Sequence, residues 1–287
     1  MEKYTIQDFN RLFPDDDTCL EWLRKKLYPG KIFCPDCKKP TKFYRIKGRK
    51  VYGCDLCGHQ LSPTANTIFD HSPTPLKLWF YAIYLMSSTR CGISAKQLQR
   101  ELGVTYKTAW RMFHQIRSML GNGSGLLSGE VEMDETYFGS RKPGKRGRGA
   151  AGKTSVFGMV QRKGNVKAIV TGDLKRTTLY PIVKEHILPK SMIYTDEYYA
   201  YRGLPQEGYG HKRVRHAAKI YVSGDVHTNT IEGFWSLLKG GISGVYKAVG
   251  KEYLQNYVNE YAFRYNHRKD EIPMFITILD RIRSQQC

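Results

Sequence analysis

Two cysteine pairs, Cys34–Pro–Asp–Cys37 and Cys54–Asp–Leu–Cys57, stand 16 residues apart and constrain this chain more than any other local feature. A CxxC pair on a tight turn places two thiolates about one tetrahedral edge apart. A second such turn completes a four-sulfur shell. That shell leaves no open position for water, so the implied ion is one structural Zn²⁺. Residues 31–66 are therefore expected to form a zinc ribbon, with the strand-like RIKGRKVYGC between the pairs. Free buried thiols and a redox CxxC are the alternatives, and the spacing disfavours both. Cys19, Cys91 and Cys287 have no partner at ligand spacing, and His59 is not needed as a fifth ligand.

The bulk composition narrows the partners. The chain has 287 residues, room for one sizeable core and one or two small modules, and a formal net charge of +20. Such an excess favours polyanions, with nucleic acid ahead of membrane. No stretch reaches 18 uninterrupted apolar residues, and MEKYTIQDFNRLFPDDD has no hydrophobic signal core. The expected location is cytoplasmic, at the nucleoid if the host is bacterial, with no membrane partner.

Along the chain, residues 1–30 read as a helical leader that stops at Pro29–Gly30. Residues 74–120 are helical, and within 93–117 Ile93, Leu98, Leu102, Val104, Trp110 and Ile116 fall at core-like positions, with Gly103 interrupting the pattern. This predicts a helix-turn-helix whose second helix presents Tyr106, Lys107, Arg111 and His114 to a DNA groove or phosphates. A plain helical hairpin is the alternative. After the GNGSG break at 121–125 the character turns to strands: GEVEMDETYFG, TSVFGMVQR, VKAIVTGD and SMIYTDEYYAY. LKRTTLYPIVKEHI reads as a crossover helix, so 155–200 suggests a hairpin followed by a crossover unit. The stretch 141–153 holds six basic residues and no acidic one. Its Arg141, Lys142, Lys145, Arg146 and Arg148 could clamp a DNA backbone, or the loop could simply be solvated. KRVRHAAK (212–219) and FRYNHRK (263–269) divide evenly between phosphate contact and surface solubility. Phe234 and Trp235 read as core.

Three acids carry the candidate chemistry. Asp134 and Asp196 each end a strand-like run, and Glu232 lies in a helix starting near Asn229. Two aspartates at strand ends and a glutamate on a helix can converge at one edge of a sheet. Clustered carboxylates repel unless cations are present, so Mg²⁺ or Mn²⁺, two per site, is the expected occupant. Two such ions suit phosphodiester displacement. Taken singly, each acid could be only a turn former or a helix-dipole partner. Strand alternation sends Glu132 to the same side as Asp134, and Glu135 and Glu197 away from their neighbours.

The CPDC and CDLC pairs, VEMDETYFGSR, IYTDEYYAY, HTNTIEGFWSLLKGGISGVYKAV and YLQNYVNEYAFRYNHR together resemble the DDE transposases of bacterial insertion sequences. The similarity is to the ISXO-like group with an N-terminal zinc ribbon, akin to the Merlin transposases. The resemblance implies a ribonuclease H-like mixed α/β sheet with flanking helices over residues 128–287. It also implies two divalent metals, cleavage at terminal inverted repeats, and strand transfer by the freed 3′-hydroxyl. Asp134 and Asp196 match the first two metal ligands. Glu232 is the choice for the third, with Lys239 two turns along the same face to meet phosphate, and Asn229 is its rival. His227 lines the site or caps the helix. Double-stranded DNA, as transposon ends and target, is the expected partner, within a homodimer or larger synaptic assembly. The alternatives are a catalytically silent DNA-binding regulator and a junction-resolving nuclease of the same fold.

Overall fold

The computed structural model describes residues 4–89, 91–121, 123, 125–139, 152–214 and 227–282. They form two compact units, one of residues up to 119 with those from 270 onward, the other of residues 120–269.

In the first unit the leader is two helices. α1 (Ile6–Leu12) starts in a capping box between Thr5 and Asp8, and α2 (Asp16–Leu27) starts at Asp15, whose carboxylate accepts the Thr18 N–H. β1 (Ile32–Cys34) pairs antiparallel with β2 (Lys39–Thr41), while β3 (Phe43–Arg45), β4 (Tyr52–Cys54) and β5 (Gln60–Leu61) make a three-stranded antiparallel sheet. α3 (Leu76–Ser88) follows Pro75, which has no side chain able to cap it. The Asp16 carboxylate does so instead, accepting the N–H groups of Leu76 and Lys77 at 3.1 and 2.9 Å. α4 (Ala95–Leu102) and α5 (Tyr106–Ser118) meet at Gly103, whose φ of +64° supplies the left-handed turn, and Thr105 caps α5.

The second unit holds β6 (Glu130–Phe138), β7 (Thr154–Gln161), β8 (Val166–Thr171), α6 (Arg176–His186), β9 (Met192–Thr195), β10 (Gly210–Arg213), α7 (Asn229–Gly241) and α8 (Leu254–Asn266). The strands form one mixed sheet in the order β10-β9-β6-β7-β8: β9 lies parallel to β6 and to β10, and β6-β7-β8 are antiparallel. This is the ribonuclease H-like α/β architecture with flanking helices. Alternation divides the core. Val131, Met133, Phe157 and Met159 pack with α6, and Val156, Val160, Val166 and Ala168 pack with Trp235, Leu238 and Val258 of α7 and α8. Strand β8 is an edge, and α8 covers it with side-chain amides. Gln255 bonds the backbone at Ala168 and Val170, and Asn266 bonds both backbone groups of Val166.

One strand was not anticipated from the sequence, and the chain end lies in a different unit from the one expected. Lys212 and Arg213 lie on edge strand β10, a four-residue polar strand with no apolar alternation to announce it. The chain end, expected with the second unit, belongs to the first. There α9 (Met274–Asp280) puts Phe275 against Phe9 and Phe13, and Asp280 pairs with Lys26. No helix among the described residues is long and apolar enough to cross a membrane.

Candidate active site and zinc centre

Register brings the two aspartates together. Glu132 of β6 pairs with Tyr194 of β9 in a parallel ladder, and Asp134 and Asp196 each lie two residues beyond that pair. In the antiparallel direction Asp134 faces Gly158, where a Cβ would sit 2.4 Å from the Trp235 ring. Glycine there lets α7 lie against the sheet, and Trp235 Nε1 donates to Asp134 Oδ2 at 3.0 Å. Asp196 Oδ1 accepts the Tyr198 N–H at 2.9 Å. The hydroxyl of Thr195 donates to the Asp196 carbonyl and lies 2.9 Å from His211 Nε2. Glu135 points to the opposite face, where it accepts from Tyr201 Oη at 2.8 Å.

Helix α7 carries the other candidates. Glu232, Asn229 and Lys239 are exposed, and Glu232 Oε1 accepts from Thr228 Oγ1 at 2.9 Å. Among the described residues, only the four cysteines place three or more ligand atoms within 4.8 Å of one another, so Asp134, Asp196 and Glu232 do not all lie within that distance of one another. His227 Nδ1 lies 3.2 Å from Glu132 Oε1, outside hydrogen-bonding alignment. Two roles were not read from the sequence: Trp235 donates to the first acid, and Glu132 accepts from the N–H groups at the start of the helix. Their contacts join residues about a hundred positions apart, which no local spacing signals.

Burial, with the charges of Glu135 and Asp196, pushes the Asp134 carboxyl from its ordinary 3.8 up to about 7. Adjacent hard oxygen donors that repel one another suit a divalent cation such as Mg²⁺ or Mn²⁺. A carboxyl with a raised folded pKa binds its proton more tightly in the folded chain than in the unfolded one. Its contribution is therefore complete below about pH 4 and is lost as pH rises through about 7. His211 acts in the opposite sense, since burial and then Arg213 push it down to about 4. The Asp134 effect is thus read as a difference. In magnesium-free buffer the melting temperature of Asp134→Asn should gain on the wild type between pH 4 and 7.5. A gap independent of pH would contradict the assignment.

The cysteines form a closed cluster. Cys34 and Cys57 Sγ are 3.5 Å apart and Cys37 and Cys54 Sγ are 3.9 Å apart. These bracket the edge of about 3.8 Å that four thiolates ~2.3 Å from one zinc would give, so the cluster fits one structural Zn²⁺. Burial raises the Cys54 thiol, but the Thr41 hydroxyl and the N–H groups of Cys57 and Leu56 outweigh it and hold the thiol at about 6. His59 Nδ1 bonds Asp36 Oδ2 at 2.8 Å, tying one cysteine turn to the other without being a ligand.

On α5, Tyr106 and Lys107 are exposed, with Lys96 of α4 over the Tyr106 ring. Arg111 departs from the outward position expected of it. Its guanidinium donates to Ser72 and Thr74 and stacks over Trp79, fastening α5 to the segment before α3. His114 lies against Trp110, which is half-buried instead of core. Arg141, Lys142, Lys145, Arg146 and Arg148 lie outside the described residues.

Two family models match: an ISXO2-like transposase domain over residues 126–266 and a transposase zinc-ribbon domain over residues 14–60. The chain is similar to an uncharacterized protein in transposable element ISH50 of Halobacterium salinarum. The two are 28% identical, over 81% of this chain and 85% of that one. It is also 28% identical to an uncharacterized transposase-like protein of Haemophilus influenzae, over 42% of this chain and 94% of that one. Among solved structures, the Mos1 strand transfer complex aligns at 10% identity over 65% of this chain and 75% of that chain. The TM-score is 0.25.

Proposed function

Because the chain belongs to the ISXO2-like DDE transposases that carry a transposase zinc ribbon, we propose that it binds the terminal inverted repeats of an insertion sequence, cleaves DNA there, and joins the freed 3′-hydroxyl to target DNA. The observation that carries this reading is the parallel pairing of β6 with β9, which sets Asp134 and Asp196 two residues beyond one register pair. Asp134 and Asp196 would hold two divalent ions, Mg²⁺ or Mn²⁺, with Glu232 or Asn229 from α7 as the third ligand. Such ions supply an activated oxygen nucleophile and Lewis-acid stabilisation of the leaving oxygen. The chain's own part is positioning: Trp235 orients Asp134, Thr195 and His211 fix the turn at Asp196, and Lys239 meets phosphate. The zinc ribbon and the exposed start of α5, with Tyr106 and Lys107, would read or grip the repeats, and the net charge of +20 supports backbone contact.

The test uses labelled DNA ending in the inverted repeats that flank this gene, beside a scrambled end of equal length. Magnesium-dependent nicking at the repeat boundary supports the reading, and equal cutting of both substrates contradicts it. In the same assay Glu232→Ala should lose cleavage while Asn229→Ala retains it. The reverse pattern would move the third ligand to Asn229.

A further inference from the structure

Glu132 is wholly buried, on the same face of β6 as Asp134, and its carboxylate is used on all sides. Oε2 accepts the N–H groups of Thr230 and Ile231 at 2.8 and 3.1 Å, and Oε1 accepts the Thr230 hydroxyl at 2.9 Å and Arg162 Nε at 2.8 Å. Those N–H groups belong to the first turn of α7, whose own N-cap residue, Thr228, makes no side-chain cap bond. The sheet thus supplies the cap that the helix lacks, from a residue 98 positions earlier in the chain. The buried charge is met by the positive end of the helix and by one guanidinium.

Arg162 extends the arrangement. Its Nη2 donates to the His227 carbonyl at 2.9 Å, just before α7, and its guanidinium lies over the Tyr194 ring at 4.0 Å. Tyr194 in turn donates to Glu130 at 2.6 Å. Glu132 stands two residues before Asp134, Tyr194 two before Asp196, and Ile231 one before Glu232. One carboxylate–guanidinium pair therefore joins the strand that carries Asp134, the strand that leads into Asp196 and the helix that carries the third acid.

We propose that Glu132 is a positioning residue, which fixes the start of α7 to the Asp134 strand and so sets where the third metal ligand stands. The proposal rests on the reading of α7 as the source of that ligand. Being fully occupied by hydrogen bonds, the Glu132 carboxylate has no lone pair to spare for an ion, which separates its role from that of Asp134. A glutamine cannot replace it, because an amide has one acceptor oxygen and would turn an NH₂ group towards other donors. An aspartate is one methylene too short to reach the same N–H groups.

The test pairs hydrogen exchange with metal dependence in the full-length protein. In Glu132→Gln, amide exchange over residues 228–233 should rise about tenfold or more while that of β7 and β8 stays as in the wild type. The Mn²⁺ concentration giving half-maximal cleavage should rise about tenfold or more, the scale expected when a group orienting a ligand is lost. DNA affinity should be unchanged. Thr230→Val removes one bond to the same carboxylate and should shift both readouts in the same direction by less, and it decides the matter if Glu132→Gln does not fold. A uniform rise in exchange across the sheet, or an unchanged Mn²⁺ requirement in a folded variant, would overturn the proposal. If Glu232→Ala and Asn229→Ala both leave the Mn²⁺ requirement unaltered, it is the α7 ligand reading that fails. The local exchange effect of Glu132→Gln would then still stand by itself.

Discussion

Alanine at Asp134 or Asp196 should lower the rate of strand cleavage by about three orders of magnitude or more, a barrier increase of ~4 kcal/mol, and leave DNA binding intact. The two carboxylates each lie two residues beyond one register pair of adjacent strands, and losing either removes one of the two acids that this pairing brings together. Binding should persist because affinity for the DNA backbone comes from the large positive charge, and removing an acid near phosphate cannot weaken it. Stability should move opposite to activity. Asp134 is held in the folded chain against burial and against the charges of Glu135 and Asp196. An uncharged residue there relieves that repulsion, so an inactive Asp134→Asn protein should melt no lower than the wild type at neutral pH. A variant that lost cleavage only because it unfolded would show the reverse.

Loss of zinc should be the second large effect, and it should appear in the first unit. The strands of residues 31–61 are two or three residues long, too short to hold together through backbone pairing alone. Their closure should therefore depend on four thiolates meeting one ion, since in small modules of this kind metal binding contributes on the order of 10 kcal/mol to folding. Cys34→Ser should reduce bound zinc from one equivalent to none. It should expose residues 31–61 to proteolysis and weaken binding to repeat-ended DNA about tenfold or more. Cleavage of short DNA supplied at saturating concentration should suffer less than binding does, since Asp134 and Asp196 belong to the other unit. Zinc retention in Cys34→Ser would contradict the four-cysteine site.

How much of this was legible in the sequence depended on how local each signal was. The cysteine turns could be read because ligand spacing is a property of four neighbouring residues. The strands β6 to β9 could be read because burial on one or both faces imposes period or apolarity on a short run. Strand β10 could not, since Gly210–His211–Lys212–Arg213 has neither and forms only because β9 offers a parallel edge. Arg111 sits where helical periodicity predicts an outward side chain, but Ser72, Thr74 and Trp79, from residues 72–79, meet it there. The two ends of α8 carried another hidden meaning: Gln255 at its start and Asn266 at its end look like surface residues and instead satisfy the edge of β8. Glu132 marks the same limit at the site. Beside Asp134 it reads as one more acid, and only the fold brings Thr230 and Ile231 to it.

The measurement that tests the central claim most directly is strand joining with a pre-cut end. A labelled oligonucleotide carrying the inverted repeat and a 3′-hydroxyl is incubated with plasmid target and Mg²⁺, beside the same oligonucleotide ending in a 3′-dideoxynucleotide. Wild-type protein should give joined product with the first and none with the second, and Asp196→Ala should give none with either. Joining by Asp196→Ala, or tight binding of the repeat by wild-type protein with no joined product, would contradict the assignment of these carboxylates to DNA strand transfer.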